Sequence, residues 1–113
     1  MFNPFKAASP GYQNLTPTQF AQGLEQPDAV LLDVRRPDEF AQGHLPNAIN
    51  ADASGPDFAQ RVAALDPARP TYLYCRSGAR SARAASLLAK AGIDKVHNLL
   101  GGVLDWPNPL TTR

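Results

Sequence analysis

Cysteine occurs once in these 113 residues, methionine once, tryptophan once and histidine twice. A single thiol excludes an internal disulfide framework and a Cys-rich zinc site. The two histidines, His44 and His97, lie far apart and lack ligand spacing, so no metal is expected. Neither sign of charge is in excess: 11 Lys and Arg stand against 10 Asp and Glu, a formal net charge of +1. That balance argues against a general binder of nucleic acid or of membrane surfaces, and any functional positive charge must be local. No apolar run approaches the length of a membrane-spanning helix. Met1 to Gly11 carries one Lys and no continuous apolar core, so it does not read as a secretory signal. The expected location is the cytoplasm, whose reducing conditions keep a lone thiol free.

What is present suits one domain with a real core: hydrophobic residues make up 43% of the chain. Residues 1–11 read as a loose lead-in, residues 12–107 as the domain and residues 108–113 as a short tail. Tyr12 to Leu15 reads as a short strand. Thr16 then reads as an N-cap and Pro17 as the first helical residue, with Phe20 and Leu24 on one face. Ala29 to Val34 is apolar except for Asp33, as in a strand buried on both faces. Pro37, Asp38 and Glu39 open a short helix that Gly43 ends. A turn at His44–Asn47 leads to a brief strand at Ala48–Asn50. Ser54 to Asp57 opens another helix, with Phe58, Val62 and Leu65 at helical spacing. Thr71 to Cys75 is a strand and Ser81 to Ala91 a helix rich in good helix formers. Val96 to Leu99 is the last strand, and Gly101-Gly102 turns into a short helical segment near Trp106. Strands alternating with helices predict an α/β domain with a mostly parallel sheet. In such sheets the ligand site lies at the carboxyl ends of the strands.

The lone cysteine, Cys75, ends one of those strands. Arg76-Ser77-Gly78-Ala79-Arg80-Ser81 follows it and leads into the alanine-rich helix. Strand, cysteine, short loop with arginines, helix: this order builds an anion pocket with a nucleophile at its floor. The thiolate is the reactive form of cysteine, and a helix N-terminus and nearby guanidinium groups both favour it. The same loop amides and arginines can hold an oxyanion. Gly78 lies mid-loop, where an unusual backbone angle points several N–H groups inward. Ser77 and Ser81 can bond the sulfur or cap the helix, two roles that sequence does not separate.

Three segments together resemble the rhodanese-like domains. Leu32-Asp33-Val34-Arg35, Glu39-Phe40, Gly43-His44-Leu45-Pro46 and Ala48-Ile49-Asn50 are similar to the N-terminal signature of that family. Cys75 to Ser81 is similar to its active-site loop, and Leu100-Gly101-Gly102 with Trp106 to its C-terminal signature. The resemblance runs from about Leu15 to Trp106. It implies a three-layer domain with a central five-stranded parallel sheet flanked by helices. It also implies sulfur transfer through a persulfide on Cys75, without metal or organic cofactor. Thiosulfate or another small anionic sulfane-sulfur donor would load Cys75, and cyanide or a thiol, with a thioredoxin-like acceptor among the candidates, would unload it. Four residues separate Cys75 from Arg80, a tighter ring than in cysteine phosphatases. Beside the family, this favours sulfur over phosphate esters or arsenate. The rival of another class is a relay or regulatory module that takes its persulfide from a protein partner.

On this reading Cys75 is the nucleophile. Arg76 and Arg80 bind the donor and lower the thiol pKa, and the amides from Ser77 through Ala79 to Ser81 hold the sulfur. Asp33 and Arg35 brace the loop from the neighbouring strand end. Arg83 reads as an exposed helix residue and Arg36 as solvent-facing. Glu39 and His44 fix the turn after their helix, and His97 reads as a satisfied structural histidine. Trp106, Phe40, Phe58 and Leu87 read as core. Asn47 stands where the family usually has Gly, and Asn is the next most tolerant of left-handed angles.

Overall fold

The computed structural model describes residues 11–113; the reading of Met1–Pro10 as a loose lead-in lies outside the described residues. The strands are β1 (Gln13–Leu15), β2 (Val30–Asp33), β3 (Ile49–Asn50), β4 (Thr71–Tyr74) and β5 (Val96–Leu99). The helices are α1 (Pro17–Gly23), α2 (Pro37–Gln42), α3 (Phe58–Ala63) and α4 (Ala79–Lys90), with a 3-10 turn at Gly102–Asp105. All strand pairs are parallel, in the order β1-β5-β4-β2-β3. The expected five-stranded parallel α/β sheet is therefore present. Among the described residues no helix is long and apolar enough to cross a membrane.

Side-chain alternation along the central strands divides the core into two layers. Val30, Leu32, Leu73, Cys75 and Val96 face α3 and α4, where they meet Phe58, Val62, Ala84, Ala85 and Leu88. Leu31, Tyr72, Tyr74 and Leu99 face the other way and pack on Phe20 of α1, with Trp106 partly buried beside them. β2 and β4 are buried at every residue, which explains their nearly unbroken apolar sequence.

Local chemistry sets the boundaries. Thr16 and Gln19 form a capping box at the start of α1: the Gln19 amide donates to the Thr16 hydroxyl at 3.3 Å, and the Thr16 amide donates to Gln19 Oε1 at 3.0 Å. Asn47 is the only non-glycine with positive φ among the described residues, at 69°, as its place in the turn predicts. Ser54–Asp57 forms turns, and the helix starts only at Phe58. The last residues are tied down: His44 and Thr111 form an antiparallel bridge, with amide-to-carbonyl bonds of 2.9 and 2.8 Å. The buried His44 ring stacks on Phe40 at 3.7 Å and contacts main-chain oxygens of Phe40 and Arg113, each at 2.8 Å. The short tail of the sequence reading is thus part of the packed turn that follows α2.

Three further expectations fail. Phe40 is only half-buried and belongs to neither core layer, because the short α2, leading to the edge strand β3, buries no residue, and the Phe40 ring stacks on His44 instead. Leu87 is 54% exposed, because the buried stripe of α4 runs through Ser81, Ala84, Ala85 and Leu88 and Leu87 falls outside it. His97 is not satisfied: its Nδ1 is buried without a hydrogen-bond partner. The ring instead lies against Tyr72, with centroids 4.6 Å apart, and burial pushes its pKa below the usual value.

Candidate active site

β4 delivers Cys75 to the carboxyl edge of the sheet, beside the equivalent end of β2. Gly78 turns the chain from strand to helix with φ 107° and ψ −16°, a left-handed conformation natural only to glycine. Space is not the reason, since a Cβ there would meet its nearest atoms at ordinary contact distance. The turn folds the loop around the sulfur. The Gly78 amide donates to Cys75 Sγ at 3.1 Å, the Ser81 amide at 3.4 Å and the Ser81 hydroxyl at 3.3 Å. The hydroxyl also lies 3.2 Å from the Gly78 carbonyl; negative charge on the sulfur draws its single proton to Sγ. Ser81 is therefore a sulfur ligand, and the N-cap of α4 is Gly78, with no side-chain capping bond.

Cys75 is 1% exposed, and burial pushes the thiol pKa up. The Ser81 hydroxyl and the amides of Ser81, Gly78 and Ser77 outweigh that and leave it below its ordinary value. The leading stabilisers are thus the Ser81 hydroxyl and the loop amides, and Arg80, whose charge attracts that of Cys75, adds to them. Arg80 is also engaged elsewhere. Its Nη1 and Nη2 donate to Glu39 Oε1 and Oε2 at 3.1 and 3.2 Å, and this pairing holds the Glu39 carboxyl below its usual range. Glu39 Oε1 also accepts the Arg36 amide at 3.2 Å. Arg76 is exposed and, among the described residues, makes no ion pair. Ser77 and Ala79 are exposed on the same rim.

Asp33 and Arg35 form a buried pair at the end of β2; their side-chain hydrogen bonds go to each other, Tyr74 and the turn after α2, and Arg35 lines a depression together with Arg76 of the loop. The buried Asp33 carboxylate accepts the Arg35 amide at 2.9 Å and Arg35 Nη2 at 2.7 Å, and Tyr74 donates its hydroxyl at 2.7 Å. Arg35 Nη2 also donates to the Gly43 carbonyl at 2.7 Å, and the Tyr74 oxygen accepts the Leu45 amide at 3.0 Å. The cluster braces β2, β4 and the turn after α2. Burial, then Asp33, push the Tyr74 pKa up, so the phenol stays a donor.

Three contributors escaped the sequence reading. Tyr74 looked like one more apolar strand residue. Glu39 reads from sequence as a residue of its own turn, whereas its carboxylate pairs with Arg80, 41 residues away. Gly102 packs so closely on the nucleophile's backbone that a Cβ would overlap the Arg76 and Cys75 carbonyls. That approach lets Val103 and Leu104 donate their amides to those carbonyls at 2.9 and 3.1 Å. The glycine doublet was the available signal. Among the described residues no group of three or more His, Cys, Asp or Glu is arranged to hold a metal ion.

Fold and site together define a parallel α/β domain with an activated cysteine in an amide-lined loop at the carboxyl edge of its sheet. The chain belongs to the rhodanese-like domain family, whose model matches residues 16–108. It is 39% identical over 101 residues to the Bacillus subtilis protein YqhL, itself uncharacterised, covering 89% of this chain and 77% of that one. It is 38% identical over 79 residues to a sulfurtransferase of Allochromatium vinosum, covering 70% and 72%. The polysulfide-sulfur transferase homodimer of Wolinella succinogenes superposes with a TM-score of 0.75 at 32% identity, covering 96% of this chain and 84% of that one. These likenesses place the chain among the rhodanese-like sulfurtransferases.

Proposed function

We propose that the protein is a cytoplasmic sulfurtransferase that moves the sulfane sulfur of thiosulfate, or of a similar small anionic donor, to cyanide or a thiol through a persulfide on Cys75. One observation carries the reading: three donors from Gly78 and Ser81 converge on a buried sulfur. Such a cradle stabilises a thiolate before the reaction begins and needs no histidine base.

Cys75 thiolate attacks the outer sulfur of thiosulfate. The Sγ–S bond forms, the S–S bond of the donor breaks, and sulfite leaves with the bonding pair. The persulfide divides one difficult transfer into two easier ones. In the second step the acceptor takes the outer sulfur, and Cys75 departs as the thiolate the cradle already fits. No metal or organic cofactor takes part. Two anions must meet in the first step, and Arg76 on the rim offers an unpaired guanidinium to the sulfonate group. Arg80 contributes the donors that Glu39 leaves free, so it binds the donor in competition with that carboxylate.

Incubation with thiosulfate, followed by mass spectrometry, tests this. Cys75 gains the mass of one sulfur atom, and added cyanide removes it as thiocyanate. Cys75→Ser does neither, and Arg80→Ala raises the KM for thiosulfate. An unmodified Cys75, or undiminished thiocyanate from the serine variant, refutes the proposal.

A further inference from the structure

With its buried stripe turned to the sheet, α4 presents Arg80, Arg83 and Leu87 on its outer side, at helical spacing. Together with Ala53, Ser54 and Ala84 they line a groove of about 380 Å³. No acidic side chain lines it. Arg83 is exposed and makes no ion pair among the described residues. Leu87, 54% exposed, marks the far end. On the other side of the loop lies a second depression that includes Arg76 and Leu104, the latter 58% exposed. The Glu39–Arg80 pair stands between the two, Glu39 lining one and Arg80 the other. The two depressions beside the Cys75 loop are thus lined by four arginines, Arg35, Arg76, Arg80 and Arg83, and one glutamate in a chain of net charge +1.

We propose that the α4 groove is the docking site for a protein sulfur acceptor whose cysteine stands among acidic side chains beside an apolar one. The inference rests on the sulfur-transfer reading and supplies its acceptor. Leu87 lies roughly 10 Å along the helix from Arg80, two turns away. A small inorganic donor needs neither Leu87 nor Arg83, whereas an extended protein segment reaching the loop would cover both. Arg83, unpaired, and Arg80, whose carboxylate partner lies outside the groove, stand beside an exposed leucine and complement carboxylates flanking an apolar anchor. In the docked pair the acceptor thiolate attacks the outer sulfur of the Cys75 persulfide. A new S–S bond forms to the acceptor and the bond to Sγ breaks. Cys75 leaves as thiolate and the acceptor as persulfide, with no external oxidant.

The test uses persulfidated protein and two synthetic peptides of equal length, each with one Cys and one Leu, flanked by Glu in one and by Lys in the other. The Glu peptide is expected to take up sulfur faster, on the order of tenfold at low ionic strength, with the advantage shrinking as salt is added. Arg83→Glu abolishes the preference, and Leu87→Ser slows transfer to the Glu peptide, while both variants still form thiocyanate from cyanide. Equal rates for the two peptides, or a preference that survives Arg83→Glu, overturn the proposal. So does occupation of the groove by a second copy, seen as a dimer in sedimentation that the peptides cannot dissociate. Cyanide run in parallel separates the readings. Thiocyanate without peptide preference removes the docking site alone; no sulfur adduct and no thiocyanate removes the sulfur-transfer reading as well.

Discussion

Two arginine–carboxylate pairs flank the nucleophile, and they do opposite work. Asp33–Arg35 lies beneath it, with side chains 0% and 7% exposed and Tyr74 and the Gly43 carbonyl completing the bonding. Glu39–Arg80 lies at the rim, 19% and 37% exposed. Contact distances are similar, 2.7 and 3.1 Å; what differs is access to water. In the buried pair a lost partner strands a charge, so the pair is a fixture of the fold. In the rim pair water replaces a lost partner cheaply, so Arg80 can exchange Glu39 for an incoming anion.

That contrast fails if the two pairs respond alike. Arg35→Ala leaves Asp33 buried without its cation, and a loss of about 3–5 kcal/mol is expected in urea unfolding. A loss below about 1 kcal/mol would show the lower pair to be no more structural than a surface one. Tyr74→Phe removes one donor to Asp33 and the acceptor of the buried Leu45 amide, for a loss of about 1–3 kcal/mol with the sulfur chemistry retained. Ser81→Ala probes the cradle above that brace. It removes a hydrogen bond that lowers the Cys75 pKa, so that pKa rises and the thiolate fraction at neutral pH falls. The acidic limb of the pH–rate profile for persulfide formation moves to higher pH, and the rate at pH 7 drops on the order of tenfold. An unmoved profile would return the thiolate to the arginines. Glu39→Gln has the smallest effect on stability, within about 1 kcal/mol, and sharpens the comparison most. With Arg80 released, the KM for thiosulfate falls; a rise would make Glu39 a positioning residue for Arg80.

Local patterns were legible in the sequence because local physics determines them. Apolar runs marked β2 and β4, Thr16-Pro17 marked the start of α1, and the place of Gly78 in the loop foretold its backbone. Asn47 in its turn did the same. The resemblance supplied the sheet and the site loop. What escaped depends on contacts distant in sequence. Glu39 and Arg80 carry no mutual signal. The phenol of Tyr74 gives no sign that it bonds across strands. Leu87 passes for core on composition, and only the phase of the helix against the sheet exposes it. His97 sits on a strand as expected, but whether a ring nitrogen finds a partner depends on the neighbouring strands. The arginines of the loop suggested charge as the activator, whereas the Ser81 hydroxyl, followed by the loop amides, leads in lowering the thiol pKa.

The strand order β1-β5-β4-β2-β3 joins the first strand to the last, and the main chain of Cys75 and Arg76 is bonded to residues 103 and 104. A folding chain therefore leaves its one thiol open until the last strand and the turn after it have joined the sheet. For that interval the sulfur has neither the shelter of the fold nor the donors that lower its pKa. The final third of the chain thus closes the reactive centre, and reactivity and protection arrive in the same folding step.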